Sequence, residues 1–366
     1  MNLARRLYSG NPGFDLRPLW PRLAAVSGLF VLLCVGSLVA RGLELGIEFE
    51  GGGVWEVESE DLSIEEARDA LRPSGNDDAR IQVLTTGTGT RTIRVQGGTE
   101  AFDDSEVITD ALADAAGVSP SEISINTVGR TWVDEITSEA QLALVLFLIA
   151  ITIYISVRLE WKMAVGAVVA VAHDILVTVG IYSIFQFQVT PATVIAFLTI
   201  LGYSLYDTVV VFDKLREMRN FVGVSTRMTY TDMANHATNE VLMRSVNTSI
   251  TSLLPVVSML VVGSWFMGAT TLQDFAIALA VGLLVGAYSS LFVAVPVVVA
   301  LKEREAPNAE VRERIGVRGE RPVRPPVGQG ANAPGTSAAA PRADVPRPAT
   351  TGRTHPPRPR KKGKRR

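Results

Sequence analysis

Few side chains in the apolar stretches of this 366-residue chain can carry charge, and those few are where chemistry is to be sought. Four stand out: His173 and Asp174, adjacent in the middle of one apolar segment, Asp207 in the next, and Arg244 near the start of the one after. An ionisable side chain at the centre of a membrane-spanning helix costs at least about 2.5–3.5 kcal/mol, so each is a functional candidate. A buried carboxylate is stable either neutral, its proton held by desolvation, or ionised beside a cation. An Asp with an Arg partner and a path for water can alternate between the two, and Asp207 with Arg244 is the expected pair. One proton driven through such a site at about 150 mV yields roughly 3.5 kcal/mol. That biases a two-state helix arrangement by up to several hundredfold. On the residues alone a second reading stays open, in which Asp207 and Arg244 are a fixed ion pair locking the helices and Asp174 caps a neighbouring backbone.

The surroundings of these groups are small and polar. Tyr203, Ser204 and Thr208 flank Asp207, and Ser245, Asn247, Thr248, Ser249 and Ser252 follow Arg244. Such residues let helices approach closely and hydrogen-bond across the contact. Asp213, six residues past Asp207, falls on another face, at the membrane edge with Lys214 and Arg216. Other chemistries lack their residues. A single cysteine, Cys34, excludes an internal disulfide framework, and with three histidines no metal or cofactor site is expected. No Gly-rich loop runs into Lys-Ser/Thr and no Gly-x-Ser-x-Gly elbow occurs, so the chain is not read as an enzyme.

Apolar segments must position the site. Leu23–Ala40 runs for 18 residues without a charge, long enough for a hydrocarbon core of about 30 Å. A cleavable signal peptide is the competing reading, since four arginines precede the run. Five further apolar segments favour a span: Leu142–Val157, Met163–Phe185, Val189–Phe212, Val241–Val262 and Phe275–Leu301. Helices are the form expected, because backbone polar groups in lipid must be satisfied within the segment. Lys and Arg number four in residues 1–22, two in 158–162, five in 213–244 and seventeen in 302–366, with none at 186–188 or 264–274. That asymmetry places both termini on the cytoplasmic side.

Residues 41–138 then lie outside, with 7 basic against 21 acidic residues, a net of −14. Val54–Glu58, Ala79–Thr85, Arg91–Val95 and Ile123–Val128 read as strands, the middle two joined through Thr86-Gly87-Thr88-Gly89. Ile64–Leu71, opened by Ser63 and Glu66 as a capping box, and Phe102–Ala116, closed by Gly117, read as helices. The order β-α-β-β-α-β predicts a ferredoxin-like α+β domain. Residues 302–366 carry 17 basic against 6 acidic side chains, and 11 of the 19 prolines lie beyond residue 305. This tail reads as a disordered cytoplasmic extension, and its terminal Arg358–Arg366 cluster reads either as a solubilising, topogenic charge excess or as a contact for anionic lipid head groups or ribosomal RNA. DNA is not an expected partner. The division expected is 1–22, span 1 at 23–40, the domain at 41–138, spans 2 to 6 within 139–301, and the tail.

Four stretches together resemble the SecD/SecF family of protein-export membrane proteins, over residues 20–301. They are Gly46-Ile47-Glu48-Phe49-Glu50-Gly51-Gly52 after span 1, Ala172-His173-Asp174 in span 3, Gly202-Tyr203-Ser204-Leu205-Tyr206-Asp207-Thr208 and its continuation to Glu217 in span 4, and Arg244-Ser245-Val246-Asn247-Thr248-Ser249 in span 5. The resemblance implies half of an RND-like bundle of six transmembrane helices and an accessory role in the Sec translocase. With its partner SecD, such a subunit uses the proton-motive force to assist preprotein movement through SecYEG after the SecA ATPase has acted. It also implies that Asp207 and Arg244 take part in a protonation-linked rearrangement moving the outer domain. Glu48 and Glu50 stand where the family's loop usually has Asp and Thr. Two other classes compete: a self-associating RND-type exporter of lipids or small molecules, and a structural scaffold in which the ion pair only holds helices together.

Overall fold

The structure, a computed structural model, describes residues 13–85, 89–223, 227–266 and 268–318. The Thr86–Thr88 connection, residues 1–12 and the Arg/Pro tail from 319 onward, with its terminal basic cluster, lie outside the described residues. Helix α1 (Leu19–Arg41) is the first of six helices, among the described residues, long and apolar enough to cross a membrane. A two-residue strand β1 (Glu44–Leu45) and one helical turn α2 (Ile47–Glu50) lead from it into the α+β domain.

That domain runs β2 (Gly52–Glu58), α3 (Ile64–Leu71), β3 (Arg80–Thr85), β4 (Arg91–Gly97), α4 (Thr99–Asp103), α5 (Ser105–Ala116) and β5 (Ser124–Val128). Its strands lie in the order β3-β4-β2-β5 with every neighbour antiparallel, the ferredoxin-like arrangement expected. Ser63 and Glu66 form the capping box: Ser63 Oγ accepts from Glu66 N at 3.2 Å and Glu66 Oε2 accepts from Ser63 N at 2.9 Å. Period-2 alternation sends Trp55, Val57, Ile93 and Val95 to one face, where they pack with Leu71, Ile108 and Leu112. The opposite face carries Glu56, Arg94, Gln96 and Asn126 and faces a cavity shared with the helices.

The rest is helical. Helices α6 (Arg130–Arg158) and α7 (Trp161–Phe185) are followed by a short strand β6 (Gln188–Val189) that pairs in parallel with β1. Then come α8 (Pro191–Met218), α9 (Tyr230–Met259) with a π-helical continuation to Phe266, and α10 (Thr270–Ser289). A π-helical turn, Ser290–Ala294, joins α10 to α11 (Val295–Lys302) within the sixth span, and α12 (Ala306–Arg318) follows. Pro296 has no N–H to return to the carbonyl four residues back, which accounts for the widened turn before it. Pro255, in contrast, sits inside a helix that continues.

Three boundaries differ from the sequence expectation. Helix α6 starts at Arg130, twelve residues before the apolar run at Leu142, so the second span rises unbroken out of the α+β domain. Helix α9 starts at Tyr230, eleven residues before Val241, under a Thr229–Asp232 capping box. Its polar first turns bind chain rather than lipid: Asn239 Oδ1 accepts from Phe14 N and its Nδ2 donates to Phe14 O, both at 2.8 Å, and Asn235 Oδ1 accepts from Leu16 N at 2.8 Å. Residues 306–318, expected to be disordered, form α12. Glu303, just before it, is buried and accepts from Thr231 N and Oγ1 at 2.8 and 2.7 Å, which anchors the start of the tail on α9.

Candidate functional site

The third, fourth and sixth spans make the centre of the bundle, with 50%, 44% and 44% of their most apolar stretches buried against 6%, 6% and 11% for the first, second and fifth. Both intramembrane aspartates sit in that centre. The close approach of α8 and α10 depends on glycine. A Cβ on Gly286 would lie 2.9 Å from Ser204 Cβ, and one on Gly282 would lie 2.3 Å from Ile200 Cδ1. No other residue lets α10 lie this near the face of α8 that carries Ser204 and Asp207.

Asp174, on α7, has no exposed side-chain surface. His173 Nδ1 lies 3.2 Å from its Oδ1, and Ser204 Oγ of α8 donates to its Oδ2. Asp207 lies one turn beyond Ser204 on α8 and is half-buried. Ser245 Oγ of α9 reaches both of its oxygens, at 2.9 and 3.1 Å, and Ser290 Oγ donates to Oδ2 at 2.6 Å. Ser290 opens the π-helical turn, which re-aims a side chain inside a span. Asp174 is thus held by one hydroxyl of a neighbouring helix beside His173, and Asp207 by two, three helices converging on it. Beside Asp207 a cavity of about 30 Å3, lined by Tyr203, Ser204, Tyr206, Thr248 and Gly286, has room for one or two water molecules.

The expected Asp207–Arg244 ion pair is not formed among the described residues. Successive residues of a helix point about 100° apart. Ser245 faces Asp207, so Arg244 is turned away and exposed on the flank of α9. Asn247 and Thr248 are exposed with it, Thr248 Oγ1 returning to Arg244 O at 2.8 Å. Tyr203 is 51% exposed on the adjoining flank of α8, whereas Thr208 is buried in the bundle. Asp213 pairs with Arg158 at 2.8 Å at the end of the bundle away from the α+β domain. Sequence reasoning missed Ser290, whose only signal is a Ser289-Ser290 pair in an apolar run. It also missed the ion network at that end. There Glu160 binds Lys302 and Arg219 at 2.8 and 3.0 Å, and Lys162 binds Glu305 at 2.9 Å. The Lys302 ammonium draws the Glu160 carboxyl below its usual range, against a smaller opposing effect of burial. No cluster able to hold a metal ion occurs among the described residues.

Comparison with known proteins agrees with this architecture. The family profile described as protein export membrane protein SecD/SecF, C-terminal, matches residues 107–304. The protein translocase subunit SecF of Streptomyces coelicolor is 39% identical over 317 residues, covering 86% of this chain and 83% of that one. SecF of Mycobacterium tuberculosis is also 39% identical, over 82% of this chain and 69% of its own. The crystal structure of SecDF from Thermus thermophilus, described as a translocon-associated membrane protein, superposes with a TM-score of 0.66 at 29% identity, over 80% of this chain. This chain spans 39% of that SecDF chain. Six spans, a ferredoxin-like domain after the first, and the sequence match together establish that the chain belongs to the SecD/SecF family, among its SecF translocase subunits.

Proposed function

We propose that this translocase subunit works with SecD in the cytoplasmic membrane, coupling inward proton movement to preprotein export, with both termini in the cytoplasm and the α+β domain outside. The observation that carries the reading is the pair of span carboxylates, Asp174 and Asp207, bound by hydroxyls and by no Lys or Arg among the described residues. A hydroxyl hydrogen-bonds to a carboxylate or to a carboxylic acid by turning its hydrogen, so both charge states can be accommodated without breaking the bundle. With no fixed cation in contact, protonation sets the charge of the site, and charge sets how α7, α8, α9 and α10 pack. His173 beside Asp174 extends the relay.

Arg244 supports the partner. An exposed Arg on a membrane helix, flanked by exposed Asn247, Thr248 and Tyr203, is costly against lipid and calls for a polar surface from another chain. SecDF of Thermus thermophilus, in which this chain matches 39% of the length, leaves room for such a second half in one polypeptide. SecD is the natural occupant, and the assembled pair would act beside SecYEG and SecA on emerging preprotein. Asp207→Asn tests the reading: export of a reporter preprotein should fall at least about tenfold and lose its dependence on the membrane potential. Export that stays at the wild-type level and remains potential-dependent would refute it.

A further inference from the structure

A crevice of about 260 Å3 between α1, α7 and α10 takes no part in the coupling described so far. Its mouth faces sideways out of the bundle, since Val26 of α1 and Leu284 of α10 on its rim are 62% and 57% exposed. Val177, Ile181 and Val285 line it, with the rings of Phe30 and Tyr288. Three polar side chains also belong to its wall. Two of them satisfy each other: Ser27 Oγ and Tyr288 Oη lie 2.8 Å apart, and Tyr288 Oη donates to the Leu23 carbonyl at 3.3 Å. The third is His173.

The His173 side chain is 9% exposed. Its Nδ1 faces Asp174 Oδ1 at 3.2 Å, and this is its one hydrogen bond among the described residues. The opposite edge of the ring, with Nε2, is turned away from Asp174 toward the crevice, beside the Tyr288 ring at 6.1 Å between centroids. With Asp174 ionised, Nδ1 carries the ring hydrogen and Nε2 is a bare acceptor. Buried polar groups are normally hydrogen-bonded, and an unmet one costs free energy. A phospholipid bilayer has nothing to meet this one. His173 lies twelve residues from each end of α7, about 18 Å of helix. Head groups stay about 15 Å away at the edges of a core about 30 Å thick, water is excluded from that core, and acyl chains carry no donor.

We propose that this crevice is a lateral binding site for a lipophilic phenol or hydroquinone dissolved in the membrane. Its ring lies against Phe30 and Tyr288, its hydroxyl donates to His173 Nε2, and its alkyl tail leaves between α1 and α10 into lipid. The size suits a ring, because a dry apolar cavity of about 150 Å3 already takes up benzene. The bare acceptor selects a hydroxyl over a ketone or an ether, and the depth selects a neutral molecule over a charged amphiphile. Such an occupant reaches the His173–Asp174 pair from the lipid side, without entering through either end of the bundle.

The test uses the full-length chain in lipid nanodiscs and measures equilibrium binding of radiolabelled 4-octylphenol. The matched probe is 4-octylanisole, whose oxygen cannot donate. Saturable binding of the phenol beyond that of empty nanodiscs is expected, at least about tenfold tighter than that of the anisole. His173→Phe should bring the phenol down to the level of the anisole. Leu284→Trp, which sets an indole across the mouth, should abolish saturable binding of both. Leu33→Trp, at a 58% exposed position of α1 outside the crevice, should bind like wild type. Equal binding of the two probes to wild type, or phenol uptake no greater than in empty nanodiscs, would overturn the proposal. So would a preference for the phenol that survives in His173→Phe. Should His173→Phe fail to fold, the two probes on wild type and Leu284→Trp decide on the same criteria.

Discussion

Asp207 and Arg244 lie at similar depth in adjacent spans, yet the structure gives Asp207 serines and leaves Arg244 on an outer flank. The difference is one residue of helical phase, a 100° turn that a single sequence does not reveal. What was legible was that Asp174 and Asp207 lie inside spans as candidates, because the cost of charge in lipid singles them out. Their true partners were not legible, since serines are common in spans for packing alone. Two outcomes follow from the geometry. Ser290→Ala removes a donor to Asp207, a charged-group hydrogen bond worth about 1.5–3 kcal/mol. It should reduce proton-dependent export by tenfold or more without changing how much SecD co-purifies. Arg244→Met should behave the opposite way from a buried-pair partner. The thermal stability of the isolated chain should move by no more than about 0.5 kcal/mol, while SecD recovery on co-purification drops sharply.

At the scale of elements, the site exists because α8 and α10 touch. Gly286 faces Ser204, and Ser290, one turn further on, faces Asp207, so one contact positions donors to both carboxylates. Gly286→Val should force the helices apart, costing about 1–3 kcal/mol in detergent thermal unfolding, and should lower coupled export because Ser204 and Ser290 move with them. The α+β domain was almost fully readable, because alternation, a capping box and a closing glycine each act over a few residues. The extra turns of α9 were not. Asn235 and Asn239 read as loop residues until the 14–16 segment supplies the backbone groups they bind.

At the scale of the molecule, the formal net charge of −2 averages an acidic α+β domain and a basic tail, and the bundle between them carries, apart from His173, Asp174, Asp207 and Arg244, its charges towards the ends. The end away from the α+β domain is closed by Glu160, Lys162, Arg219, Lys302 and Glu305. Glu160 is held below its usual value of 4.5 by Lys302, so its contribution is fully present above that pH and is lost as pH falls through the lower folded value. Thermal stability should therefore decline on acidification below about 4.5, and Glu160→Gln should lower the neutral-pH stability by about 1–3 kcal/mol and flatten that decline. The opposite end holds a polar cavity, so water has room beside the α+β domain while ion pairs seal the other side. This asymmetry was invisible in the sequence, where Lys162 and Lys302 count only as topological charges.

The account turns on whether a proton gradient moves preprotein through the charge state of Asp207. Preprotein caught part-way through vesicles containing SecD and this subunit, with ATP removed, provides the direct measurement when a proton gradient is then imposed. The account predicts that movement resumes with the wild-type chain and not with Asp207→Asn. Equal movement in both would contradict it.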